Sequence, residues 1–303
     1  MVMGRNLQTA LTRARALRLL GAASLAACGG DGGTDSVAVG SKDFTEELLL
    51  GEMYAQLLER AGLRAARRLD LGGTQVAMEA LLRGDIDLYP EYTGTALLTV
   101  LKLPPARDAA ANYRTVAQAY RRKYDLVWLA AAPMNDTQAL ATTRAIARRY
   151  RLVTLGDLSR AAPQLRLGAI PEFTKREDGL PGLQRAYGGF QFKDVKLFDI
   201  GLKYRALLSG DVDVVVAFGT DGQIASDDLL VFVDDKHFWP AYQVAPVVRA
   251  KTLAAHPAIA AQLDKLAPLL TDDTMRALNA RVDAQKLEPA DVARSFLASR
   301  GLA

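Results

Sequence analysis

The side chains capable of covalent or metal chemistry are few in this sequence and badly placed for it. It has two histidines, His237 and His256, with no partner at ligand spacing, and one cysteine, Cys28, so neither an internal disulfide nor a cysteine-based metal site can form. There is no G-x-S-x-G elbow, no H-E-x-x-H zinc helix and no nucleotide-binding P-loop. The carboxylates Glu91, Glu172 and Asp221 are the residues an enzyme reading would use, since paired carboxylates can perform acid–base work. That reading is kept only as a remote alternative. The expectation is no catalytic residues, no metal and no cofactor.

A self-comparison gives more. Ala80-Leu81-Leu82-Arg83-Gly84-Asp85-Ile86-Asp87 recurs as Ala206-Leu207-Leu208-Ser209-Gly210-Asp211-Val212-Asp213, and in that register Tyr92 lies over Phe218. A looser match sets Val39-Gly40, with Phe44-Thr45 following, against Leu167-Gly168, with Phe173-Thr174 following. A duplication of this kind predicts two α/β lobes with equivalent loops at the C-terminal ends of their strands, where open α/β sheets bind ligands. Tyr92 and Phe218 would then face each other across a cleft.

The surrounding elements fit that expectation. Val37-Ala38-Val39 is β-prone, Asp43 is placed to cap a helix with Glu46 completing the box, and Leu50, Met53, Tyr54, Leu57, Leu58 and Ala61 follow at helical spacing up to Gly62. Thr74 reads as the N-cap of a second helix that stops at Gly84, followed by the strand Ile86-Asp87-Leu88-Tyr89. The repeat places lobe one at residues 37–131 and lobe two at 132–239. The tail, 240–303, reads as a strand over Tyr242 to Val248 and then helices, returning to lobe one. Two chain crossings, near Ala132-Pro133 and Trp239-Pro240, would make a hinge.

Charge distinguishes the N-terminus from the rest. The chain has 38 Lys+Arg against 34 Asp+Glu, a formal +4. Arg5, Arg13, Arg15 and Arg18 carry this excess, no acid lies before Cys28, and the remainder is balanced, which offers little of the attraction that nucleic-acid binding needs. No run approaches the roughly 18 apolar residues of a membrane-spanning helix. Residues 1–27 read as a secretory signal ending Leu25-Ala26-Ala27-Cys28, similar to a bacterial lipobox in which Cys28 is lipidated. The glycine-rich residues 28–36 read as a flexible tether. The expectation is an exported protein, lipid-anchored on the periplasmic or extracellular face, monomeric, touching the membrane through its anchor.

Several blocks together resemble one family. Gly40-Ser41-Lys42-Asp43-Phe44-Thr45-Glu46, Leu71-Gly72-Gly73-Thr74, Asp87-Leu88-Tyr89-Pro90-Glu91-Tyr92-Thr93-Gly94-Thr95, Asn135-Asp136-Thr137, Pro171-Glu172-Phe173 with Arg176 and Asp178-Gly179, Thr220-Asp221-Gly222 and Asp234 to Tyr242 are similar to the substrate-binding proteins of osmoprotectant ABC importers. Those proteins take up glycine betaine, choline, carnitine and related quaternary amines. The resemblance covers nearly all of residues 37–250.

The resemblance implies a periplasmic-binding-protein-like fold of type II, two α/β lobes joined by a two-crossing hinge, and a separate ABC permease as partner. It also implies an aromatic cage for a trimethylammonium head, matched by Tyr92, Phe218 and Tyr242, and a carboxylate-binding group matched by Lys42, Thr95 and Arg176. The chain departs from the family at two cage positions, with Gln138 and Phe218 where tyrosines are usual. A quaternary ammonium has no N–H to donate, so ring faces must hold it, each contributing about 0.5–2 kcal/mol. Phe218 keeps a face, whereas Gln138 loses one, so either another zwitterion is bound or the cage is weakened. A solute sensor without transport is a further alternative. Phe238 and Trp239 read as hinge packing, and Arg121-Arg122-Lys123 and Arg148-Arg149 as solvated helix faces.

Overall fold

The computed structural model describes residues 36–106 and 108–302. Residues 1–35, which include the expected signal, most of the expected tether and Cys28, lie outside the described residues. Sheet one has the order β2-β1-β3-β10-β4, formed by β1 (Ser36–Gly40), β2 (Arg64–Arg68), β3 (Leu88–Tyr92), β4 (Leu126–Trp128) and β10 (Val244–Arg249). Sheet two has the order β7-β6-β8-β5-β9, formed by β5 (Gln138–Thr143), β6 (Arg166–Ala169), β7 (Asp194–Leu197), β8 (Val214–Phe218) and β9 (Leu229–Val231). These are two mixed sheets in two lobes, the type II arrangement.

The two sheets have matching connectivity. In sheet one β1 runs parallel to β2 and β3, and β10 lies antiparallel between β3 and β4. In sheet two β6 runs parallel to β7 and β8, and β5 lies antiparallel between β8 and β9. The antiparallel strand of each sheet is the one that adjoins a crossing, β5 after the first passage and β10 after the second.

The repeated motif explains itself in backbone bonds. Gly84 and Gly210 both have positive φ, 85° and 77°, where a side chain would be strained. Asp87 accepts from the Ala38 amide at 2.9 Å, and Asp213 accepts from the Arg166 amide at 2.8 Å. Each aspartate thus ties the strand it precedes to the neighbouring parallel strand. In consequence Tyr92 and Phe218 end equivalent strands.

Helix α1 (Thr45–Arg60) buries Leu49, Leu50, Met53, Tyr54, Leu57 and Leu58 in the core of lobe one, with helices from the chain's C-terminal region. Its N-cap is Phe44, with no capping side chain, so Asp43 does not cap it as the sequence suggested. Helix α2 (Thr74–Arg83) has Gly73 as N-cap and Thr74 as its first helical residue. Trp239 packs against the cores of both lobes, and its indole donates to the Asp178 carbonyl at 2.8 Å, which agrees with a hinge-packing role.

Candidate functional site

A cavity of about 430 Å³ lies between the sheets, lined from lobe one by Lys42, Phe44, Tyr92 and Thr95 and from lobe two by Arg176, Phe198 and Phe218. Gln138 and Tyr242, which begin or precede the crossing strands, complete it. All seven residues singled out from the sequence, Lys42, Tyr92, Thr95, Gln138, Arg176, Phe218 and Tyr242, line this cavity.

Strand register places the polar and aromatic groups next to each other. Tyr92 pairs with Val244 across β3 and β10, and Phe218 pairs with Gln138 across β8 and β5. Gln138 thus holds the position in sheet two that Val244 holds in sheet one. Gly94 lets Tyr242 lie close, because a Cβ there would fall 2.6 Å from ring carbons Cδ1 and Cε1. On the opposite rim a Cβ on Gly73 would fall 1.8 Å from Glu172 Oε1, so the lobes meet there.

Phe44 supplies an aromatic surface that the sequence reading passed over. Its ring centroid lies 6.2 Å from that of Tyr92 at 30° and 6.4 Å from that of Phe218 at 7°. It therefore bridges the two rings that the repeat placed in correspondence. In the sequence Phe44 stands out only within the family block and the looser repeat, and its place just before α1, at the N-cap, is the signal that points to the cavity.

Neither candidate cation is unpaired. Lys42 is buried and donates to Glu91 Oε1 at 2.7 Å, with Glu47 Oε1 at 3.7 Å. Burial opposes its charge, but Glu91 and Glu47 outweigh burial and raise its pKa. Burial pushes Glu47 up to about 8, against the opposing attraction of the Lys42 ammonium. The Lys42 ammonium also stands 4.8 Å from the centre of the Tyr92 ring.

Arg176 is gripped in the same way. Its Nε donates to Asp178 Oδ1 at 2.7 Å and its Nη2 to Asp178 Oδ2 at 2.5 Å, with Thr95 Oγ1 at 3.5 Å and Glu172 at 3.7 Å. Asp178 also accepts from Tyr242 Oη at 2.6 Å and from Gln138 Nε2 at 2.7 Å. One buried carboxylate thus orients three of the seven predicted residues, a charge-assisted arrangement with a bidentate core. Burial opposes the guanidinium charge, but the bonds to Asp178 outweigh it and raise its pKa.

Behind the aromatic wall a second polar cluster joins the lobes. Glu46 accepts from Tyr92 Oη at 2.7 Å and from Asn279 Nδ2 at 3.0 Å, and Asn279 Nδ2 also reaches the Thr220 carbonyl at 3.0 Å. Thr220 Oγ1 donates to Asp136 Oδ1 at 2.6 Å. Burial raises Glu46 to about 7, with a further push from the Asp221 charge, and raises Asp136 well above the usual carboxylate range, with repulsion from Glu46 and Asp221 adding to it. Asp221 accepts from the Phe218 amide at 3.0 Å, from Tyr204 Oη at 2.5 Å and from Lys203 Nζ at 3.3 Å, which fixes the strand end that carries Phe218.

The family model for the substrate binding domain of ABC-type glycine betaine transport systems matches residues 35–299. The chain belongs to this family. It is a family of extracytoplasmic binding proteins that serve ABC transporters, and its members are not enzymes. The glycine-betaine-binding protein of Pseudomonas aeruginosa is 35% identical, with 87% of each chain covered. An ergothioneine transport permease/ergothioneine binding protein of Helicobacter pylori is 36% identical over 88% of this chain, which spans about half, 48%, of that longer protein. A solved glycine betaine/carnitine/choline ABC transporter component superposes with a TM-score of 0.72 at 31% identity, covering 88% of this chain and 99% of the other. Among the described residues no helix is long and apolar enough to cross a membrane, and no group of His, Cys, Asp and Glu could hold a metal ion.

Proposed function

We propose that this chain captures a quaternary-amine solute between its lobes and delivers it to an ABC permease, Cys28 carrying the lipid that holds it at the membrane. The observation that carries the ligand class is the aromatic wall of the cavity, Tyr92, Phe44 and Phe218 in sequence of contact, with Tyr242 beside it. A trimethylammonium head offers no N–H, so ring faces in a desolvated cavity are what can hold it.

The carboxylate of a betaine would meet the remaining donors of the polar end. The Lys42 ammonium has N–H bonds beyond the one given to Glu91, and Thr95 offers a hydroxyl. Arg176 Nη1 makes no hydrogen bond among the described residues, its nearest acid being Glu172 at 3.7 Å. The grip of Asp178 on the other edge of the guanidinium leaves that group positioned in advance, which lowers the entropic cost of binding.

A second reading is favoured by size. At about 30 Å³ per water-sized unit, a cavity of about 430 Å³ holds about fourteen such units, more than glycine betaine fills. The Helicobacter pylori relative binds ergothioneine, a bulkier quaternary amine with a ring, and a ligand of that size suits the cavity.

Mass spectrometry of solute carried through purification, followed by calorimetry with glycine betaine, choline, carnitine and ergothioneine, tests both readings. Binding of at least one at a stoichiometry of one is expected. No heat with any of the four would overturn the ligand class.

A further inference from the structure

We infer that the solute carries an N–H or O–H donor near its quaternary nitrogen and that Gln138 reads this donor. The inference rests on the quaternary-amine reading above and narrows it.

The register of β5 against β8 puts Gln138 directly opposite Phe218, so its side chain enters the cavity beside an aromatic ring. Its amide is oriented by what it touches. The end facing Asp178 Oδ2 lies 2.7 Å from a carboxylate that already receives Arg176 and the Tyr242 hydroxyl, and only the NH2 end can donate there. Tyr242 Oη, 3.4 Å from the same nitrogen, has its proton on Asp178 and meets Nε2 as an acceptor.

That orientation keeps Oε1 off Asp178 and Tyr242, on a side chain that lines the cavity. It has no hydrogen-bond partner among the described residues, and Gln138 is only 5% exposed. A ligand that excludes water from this space must either donate to Oε1 or strand it, and stranding a buried acceptor is costly. Glycine betaine has no donor, its nitrogen being fully methylated and its carboxylate ionised. Choline and carnitine carry an O–H, and a ring-bearing betaine such as ergothioneine carries N–H. A site built to bond a donor rejects the analogue that lacks it more strongly than an apolar pocket discriminates by size.

Matched ligand pairs test this without assuming which solute is native. Calorimetry on the intact chain compares choline with its O-methyl ether, and ergothioneine with its derivative methylated on both ring nitrogens. The O–H arm and the N–H arm separate the two kinds of donor. In at least one pair the donor-bearing member is expected to bind about tenfold more tightly, and that preference is expected to collapse toward unity in Gln138→Leu and Gln138→Met, where no side-chain oxygen remains. If both members of each pair bind the wild-type chain equally, or if the preference survives in the variants, the inference is overturned while the quaternary-amine reading stands. If no quaternary amine binds at all, both fall. Equal binding of both members of each pair by the wild-type chain overturns the inference even where a variant fails to fold.

Discussion

Phe44 and Phe218 come from different lobes, yet their rings stack 7° from parallel with centroids 6.4 Å apart. Phe44 sits at the N-cap of α1 and Phe218 at the end of β8, so the contact exists only while the lobes are together. It joins cavity lining and lobe docking in one pair of rings. Phe44→Ala is expected to weaken quaternary-amine binding about thirtyfold, since one desolvated ring face contributes roughly 2 kcal/mol. Phe44→Leu should recover packing without recovering affinity, and calorimetry on both variants reads the difference. Unaltered affinity in Phe44→Ala would remove this ring from the binding surface.

Arg176 and Asp178 predict a stability effect separable from binding. Asp178 is buried and satisfied by four hydrogen bonds from three residues, two of them from Arg176. Arg176→Ala leaves that carboxylate without its counter-charge, and breaking such a buried pair costs about 3–5 kcal/mol. A fall in thermal midpoint of several degrees is expected. The double variant Arg176→Leu with Asp178→Asn removes both charges and should melt above Arg176→Ala alone. A double variant no more stable than the single one would show that the pairing is not what the single change disrupts.

What could be read from the sequence followed from what is local in it. The recurrence of Gly84-Asp85-Ile86-Asp87 as Gly210-Asp211-Val212-Asp213 was legible because each copy makes the same backbone bonds, through Asp87 to Ala38 and Asp213 to Arg166. Helix faces such as Leu50, Met53, Tyr54 and Leu57 were legible from spacing. The pairing of charges was not, because Lys42 meets Glu91 and Arg176 meets Asp178 only once strands and loops are placed, and sequence distance does not rank such partners. Asp43 looked like a cap because its type fits, but the chain enters α1 through the extended backbone of Phe44 and turns that ring into the cavity. The orientation of Gln138 was equally hidden, since it depends on the carboxylate that Asp178 brings from another segment.

Gly94 predicts a purely steric effect. A Cβ at this position would meet three carbons of the Tyr242 ring within 2.8 Å, and an aromatic ring anchored by its hydroxyl on Asp178 cannot give way cheaply. Gly94→Ala is expected to displace Tyr242 and weaken ligand binding by at least about tenfold while the chain still folds. Relief by the second change Tyr242→Ala, seen as a recovered thermal midpoint, would identify the clash as the cause. Wild-type affinity in Gly94→Ala would contradict it.

The buried carboxyls predict a direction for stability against pH. Burial raises Glu46 to about 7 and Glu47 to about 8, whereas in the unfolded chain both titrate in the ordinary glutamate range near 4.5. Between those values the folded state holds protons that the unfolded state has lost, so stability falls as pH rises. Each such group contributes a slope of up to about 1.4 kcal/mol per pH unit inside its window. Asp213, held low by its bonds from Arg166, acts oppositely, but its loss is confined to pH below the usual aspartate range. Thermal melts at matched ionic strength should therefore show a lower midpoint at pH 8 than at pH 6, and Glu47→Gln, which keeps the acceptor toward the Lys42 amide at 2.9 Å, should flatten the decline. A midpoint that rises between pH 6 and pH 8 would mean these carboxyls are ionised in the folded chain, with Lys42 balancing both Glu91 and Glu47.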